Sequence, residues 1–128
     1  MAQDLPTELT AFELLPARNA LVAAGTQTYA GVDIRDYVGK IKATYSSFMP
    51  HEAATNSIVL SINDSADNST FAANTDITPV TYTASAATGD ITIDTRKAKR
   101  YIQGKHLFSG ATMTVALSLV GVGKKRVT

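Results

Sequence analysis

The sequence predicts an all-β, single-domain fold of roughly eight strands, and three observations carry the prediction. Apolar residues alternate with small or polar ones in most segments, which is the period-2 signature of half-buried strands. Clusters of Gly, Asn, Asp, Ser and Pro separate these segments at about the 8–12-residue spacing of sandwiches and barrels. No segment carries a convincing long helical period. With 128 residues the chain is long enough for one domain with a real core and short for two.

The clearest signal lies in Asp90–Val122. From Ala111 the odd positions are Ala111, Met113, Val115, Leu117 and Leu119, and the even ones are Thr112, Thr114, Ala116, Ser118 and Val120. Large apolar groups thus fall on one side, which a helix would scatter. Ser109-Gly110 marks a turn before this strand, and Tyr101–Phe108 is a second strand. Asp90–Thr95 is a third, with Ile91 and Ile93 inward. The stretch reads as three neighbouring strands.

Taken in order, residues 1–19 read as an extended N-terminal arm preceding a β-sandwich domain over residues 20–128. Pro6 and Pro16 prevent a continuous helix, although a short one over Glu8–Leu15 is compatible with the sequence. Leu9, Phe12, Leu14 and Leu15 are too apolar for a solvated tail. Two readings stay open: a first edge strand docked on the domain, or an arm that packs on a partner. Ala20–Ala24 and Thr26–Ala30 form short strands broken by Gly25, and Val32–Ile34 follows. In Tyr37–Met49 one face carries Tyr37, Gly39, Ile41, Ala43 and Tyr45, and the wet face carries Lys40, Lys42, Thr44 and Ser46. Pro50–Asn56 is a loop, and Ser57–Asn63 is a strand with Ile58, Leu60 and Ile62 inward.

Asn63–Thr70 is a polar turn, because short Asn and Asp side chains bond local backbone and tolerate left-handed conformations. Phe71 anchors its return. Asp76–Ala84 reads as an edge strand, since Pro79 lacks a ladder donor. Ser85–Gly89 is a flexible connection, and Gly123–Thr128 is a basic, frayed end. The expected core is Tyr37, Ile41, Tyr45, Ile58, Leu60, Ile62, Phe71, Ile91, Ile93, Met113, Val115, Leu117 and Leu119.

Net charge is only +1 but is divided along the chain. Residues 1–95 hold all 11 acidic groups and four basic ones, for −7; residues 96–128 hold eight basic groups and no acidic one, for +8. Either the two regions face each other within one fold or are simply solvated, or the basic end meets an acidic surface on a neighbouring molecule. Nucleic acid is not the expected partner, because only Tyr101 and Phe108 interleave the basic residues. The absence of cysteine rules out disulfides and thiolate metal sites. Met1–Phe12 lacks a basic cluster followed by an apolar run and does not read as a signal peptide. No apolar run approaches the ~20 residues that cross a bilayer, so a soluble protein without a membrane partner is expected.

No constellation points to a reaction. Asn63, Asp64, Asp67 and Asn68 supply oxygen ligands but lack the glycine and terminal glutamate of an EF-hand loop, so a hydrogen-bonded turn is the expected structure. His51 and His106 stand far apart without metal-ligand spacing, and Glu52 beside His51 is adjacency only. There is no G-x-S-x-G elbow and no Gly-rich loop opening a helix. The triplets Asn63-Asp-Ser and Asn68-Ser-Thr matter only in a secretory pathway. Catalytic residues, metals and cofactors are therefore not expected, and neither is an enzyme.

The order of pieces resembles a group of small tailed-phage virion proteins. Their pattern VD-[IL]-R-x-Y-V-G-K-[IL]-K stands here as Val32–Lys42, and D-S-x-D-x-S-x-F as Asp64–Phe71. The pattern [IV]-D-x-R-x-x-x-R-Y-[IL] stands as Ile93–Ile102, and the final alternating strand ending L-V-G as Thr112–Gly121. The likeness covers about Gly31 to Gly123 and leaves out the arm Met1–Leu15. One departure is Asn68, where the group has glycine. The group is similar to capsid decoration or cement proteins, which implies a jelly-roll-like sandwich that binds the major capsid protein on the capsid exterior as a dimer or trimer. A head–tail connector or tail component and a host-surface-binding module are the alternatives. Candidate interface residues are Leu9, Phe12, Leu14, Leu15, Arg96, Lys97 and Arg100. For Arg96 and Arg100 an internal role is also expected, pairing with Asp94, Asp33 or Asp36.

Overall fold

Alternating burial runs through the strands of the computed structural model, which describes residues 7–22, 24–48, 57–82, 86–110 and 113–126. The strands are β1 (Thr7–Val22), β2 (Gly25–Thr28), β3 (Val32–Asp33), β4 (Tyr37–Phe48) and β5 (Ser57–Ser65). They continue with β6 (Ala72–Ala73), β7 (Val80–Tyr82), β8 (Ala86–Asp94), β9 (Tyr101–Ser109) and β10 (Met113–Arg126). Among the described residues there is no helix, and so none long and apolar enough to cross a membrane.

Two antiparallel sheets form a sandwich, one ordered β1-β10-β4-β8 and the other β2-β9-β5-β6. β3 continues the β2 position along β9, and β7 shares the β6 side of β5, so ten segments occupy eight strand positions. Successive positions alternate between the sheets, except at the step from β5 to β6 and β7. That order is a jelly roll, with each of the two sheets four positions wide. Asp90–Val122 therefore does not make three neighbouring strands. β8 and β10 share a sheet but flank β4, and β9 lies in the other sheet. Periodicity identifies which side of a strand is buried and carries no information about its partner.

The core lies between the sheets and joins Tyr37, Ile41 and Ala43 of β4, Ile58, Leu60 and Ile62 of β5, and Ile91 and Ile93 of β8. Ile102 and Phe108 of β9 and Val115, Leu117 and Leu119 of β10 complete most of it. Tyr45 packs on this cluster half-buried. Phe71 is outside it: the chain turns at Asn68 and lays Phe71 against Gly31, where a Cβ would strike both side chains. The side chain of Met113 lies outside the described residues.

At the start of the chain the edge-strand reading holds, and the boundary placed there does not. Thr7–Val22 is a sixteen-residue edge strand paired with β10, so the boundary expected after residue 19 falls inside β1 and no helix forms over Glu8–Leu15. Leu14 and Leu15 are both only 1% exposed. Adjacent strand residues normally face opposite ways. Here the register shifts between Glu13 and Leu15 and again between Leu15 and Arg18, so bulges turn both leucines inward. Pro16, with no N–H to give, lies within the second shift. Met1–Pro6 lies outside the described residues, as does His51 with the loop Pro50–Asn56.

Three smaller expectations also change. Gly123–Arg126 is not frayed, because β10 runs to Arg126 between β1 and β4. Strand β8 begins at Ala86 and takes in the connection expected up to Gly89, where it pairs with the end of β4. Of the edge strand expected over Asp76–Ala84, the described residues show Val80–Tyr82, directly after Pro79, and Thr83 and Ala84 lie outside the described residues.

Candidate functional site at the charged end of the sandwich

Three of the four sequence pieces that carry the phage resemblance meet at one end of the sandwich. Residues 34–36 between β3 and β4, 66–71 between β5 and β6, and 95–100 between β8 and β9 are bonded there, directly or through neighbouring strand residues. The last connection folds around Asp94, whose carboxylate accepts from Arg96 N at 3.0 Å while its carbonyl accepts from Lys97 N and Ala98 N. An Asx turn of this kind needs a short acceptor at its first residue. Thr95 then ties the turn to β4, donating to Gly39 O from its amide at 3.0 Å and its hydroxyl at 2.6 Å.

Arg100 reaches Asp33 with a forked pair, Nη2 to Oδ2 at 2.9 Å and Nε at 3.2 Å from the same oxygen. Its guanidinium lies 5.0 Å over the Tyr101 ring. Ile34 N donates to Arg100 O, closing the β3–β4 turn on the β8–β9 turn. The Arg100 hydrogen bonds hold the Asp33 carboxyl below the usual carboxylate range. Arg96 pairs with Asp94 at 3.3 Å and lowers that carboxyl likewise, with its own side chain 80% exposed. The internal pairing expected for both arginines is thus present.

Residues 65–70 are organised by Asp67. Its Oδ1 accepts from Ser65 Oγ at 2.8 Å and from the amides of Ser69 and Thr70 at 3.0 Å. Donation by the Thr70 amide, then the Ser65 hydroxyl and the Ser69 amide, lowers its carboxyl to about 2. Asn68 takes the left-handed conformation (φ 58°), as its place in the motif requires. Among the described residues no cluster of three metal-ligating side chains occurs.

The candidate interface residues divide. Leu9 is exposed, Phe12 is half-buried with its ring 5.0 Å from that of Tyr37, and Leu14 and Leu15 are core residues unavailable to a partner. Arg96, Lys97 and Arg100 are on the surface. Of the four salt bridges among the described residues, two join the acidic and basic parts of the chain, Arg96–Asp94 and Arg100–Asp33. Lys97, Lys99, Lys124, Lys125 and Arg126 make no salt bridge among the described residues.

Two residues of structural weight escape the sequence reading. Asp64 is buried, and its Oδ2 accepts from Asn74 Nδ2 at 2.7 Å and Lys99 N at 3.0 Å, while Asn74 also donates to Lys97 O. No local pattern signals this contact across the fold. His106 is buried between the sheets with Nδ1 2.8 Å from Tyr29 Oη. Its place on the inward row of Ile102, Gly104 and Phe108 could have shown it as a core histidine.

No family model matches the chain, and no curated protein matches it. Among solved structures it is similar to the PBSX exported protein XepA, with a TM-score of 0.62 and 18% identity over 93% of this chain and 38% of that one. It is also similar to dimeric latent PorU from Porphyromonas gingivalis, with a TM-score of 0.54 and 13% identity over 97% of this chain and 13% of that one. The chain thus spans well under half of either protein, and the likeness is one of fold.

Proposed function

We propose that this chain is a non-enzymatic virion protein of a tailed phage that binds the exterior of the assembled capsid as a small homo-oligomer and stabilises it. What carries the reading is the ordered resemblance to small phage virion proteins from Gly31 to Gly123. Residues of three pieces of that match are bonded to one another, Asp33 to Arg100, Thr95 to Gly39 and Asp64 to the Lys99 amide. In this chain the pattern thus coincides with the contacts that close one end of the jelly roll. The fold likeness to an exported protein of PBSX fits the same setting. Basic groups left without salt bridges supply long-range attraction to an acidic shell.

A clamp across subunit joints strengthens a shell by adding buried interface area and needs no reaction. The test adds purified protein to capsids lacking it, followed by electron microscopy and heating. Density at regular positions on the outer shell together with a higher rupture temperature is the expected result. Density only at the portal vertex or tail would replace the reading with a connector role, and absence of density would end it.

A further inference from the structure

Of the four exposed large apolar side chains among the described residues, Leu9, Phe48 and Val120 share the outer face of the β1-β10-β4-β8 sheet. Leu9 is 75% exposed. Across this face Leu9 stands opposite Lys124, Ala11 opposite Val122, and Glu13 opposite Val120. On the other side of β10, Val122 stands opposite Lys42 and Lys124 opposite Val38. From Val122 to Lys124 the chain advances two residues while β4 advances four, from Lys42 to Val38, so β4 bulges here.

The bulge hollows the face. Gly39 takes φ +74°, with open space where a Cβ would stand, and its carbonyl is clamped by Thr95. The groove so formed, about 520 Å³, is lined by Leu9, Val38, Lys40, Lys42, Val122 and Lys124 beside the glycines. Its walls are aliphatic and its rim is basic. Lys42 is paired with Asp90 at 3.3 Å, but Lys40 and Lys124 make no salt bridge among the described residues.

We infer that this groove docks an extended polypeptide segment presenting an aliphatic side chain between carboxylates. The aliphatic group fits between Leu9, Val38 and Val122, and the carboxylates pair with Lys40 and Lys124. The apolar row continues to Val120, two residues along β10 and about 6.7 Å away, which is the repeat of alternate side chains in an extended chain. Among the described residues no aromatic lines the groove to stack a base, so nucleic acid fits it poorly. The lysines of a second copy would meet their own kind if the groove covered itself. Only the source of the segment, the shell protein, rests on the capsid reading above.

The test titrates the isotope-labelled full chain with a short synthetic peptide alternating glutamate and valine, followed by NMR. A lysine-valine peptide and single-stranded DNA run in parallel. Saturable shifts at Leu9, Val38–Lys42 and Val122–Lys124 with the glutamate peptide alone are expected. Lys40→Glu combined with Lys124→Glu should weaken binding about tenfold or more, and Leu9→Ser about tenfold. All three positions are on the surface, so unchanged melting curves verify the variants. Equal binding of the lysine peptide or DNA, shifts centred on Lys97 and Lys99, or full binding by the double variant would overturn the groove. So would shifts at the groove that depend on protein concentration without peptide, which would make a second copy its occupant. If wild type binds the peptide but not capsids, the groove stands and the capsid reading falls.

Discussion

The charged end of the sandwich and the outer face of its β1-β10-β4-β8 sheet both carry basic side chains, but they use them differently. At the end, Arg96 and Arg100 are held by Asp94 and Asp33, and the carboxylates of Asp64 and Asp67 collect backbone amides. On the face, Lys40 and Lys124 make no salt bridge among the described residues and stand beside exposed Leu9. Polar groups satisfied inside the chain fix how it closes, whereas cations left beside uncovered aliphatic groups suit a partner. The motif at that end thus acts within the chain, and the binding proposed above falls to the surface beside it.

The largest expected effects concern which residues belong to the fold. Leu15→Ala should cost about 2–5 kcal/mol in chemical denaturation, as much as Leu117→Ala on β10, because both side chains are core. A melt unchanged by Leu15→Ala would return this segment to the status of a loose arm. Asp64→Ala should cost about 1–3 kcal/mol, since the Asn74 amide group and the Lys99 N–H lose their acceptor. If stability stays level, the buried contact does not hold the end together.

Arg100→Lys keeps the charge and loses the forked geometry. With both partners about two-fifths exposed and screened by solvent, the denaturation midpoint should fall only slightly. A loss confined to assembly, with the isolated protein unaffected, would move Arg100 from the fold to an interface.

The gentlest test is pH. The folded-state carboxyl of Asp67 sits at about 2 against an ordinary 3.8, so its contribution is complete above the ordinary value and is lost as pH falls toward about 2. Asp33 and Asp94, also lowered, add in the same direction. Asp67→Asn should flatten the fall of melting temperature over that acid range and leave its shape near neutrality unchanged. An identical acid profile in the variant would remove Asp67 from the account.

Much of the sandwich was legible from alternation alone. The inward rows Ile58-Leu60-Ile62 and Val115-Leu117-Leu119 stand where the period places them. The edge strand β1 was harder, because adjacent Leu14 and Leu15 break the alternation, and only bulges reconcile both with burial. Sheet membership of β8, β9 and β10 was not legible, since a strand's period records its faces and not its neighbours. At the charged end the pairing of Arg96 and Arg100 with carboxylates was expected, but which of Asp94, Asp33 and Asp36 each would take was not legible. The burial of Asp64 depends on residues 10 and 35 positions away, Asn74 and Lys99. The groove was hidden for a related reason. Gly39 falls on the inward row of β4 by counting, but the bulge there turns the local chain outward.

The central claim is that the sheet face binds the shell while the charged end holds the fold. Co-sedimentation with capsids lacking the protein tests it directly, comparing wild type, Arg96→Ala, and Lys40→Glu combined with Lys124→Glu. Wild type and Arg96→Ala should pellet with the capsids, and the doubly reversed variant should remain in the supernatant with an unchanged melting curve. Loss of binding in Arg96→Ala with full binding by the doubly reversed variant would contradict the account.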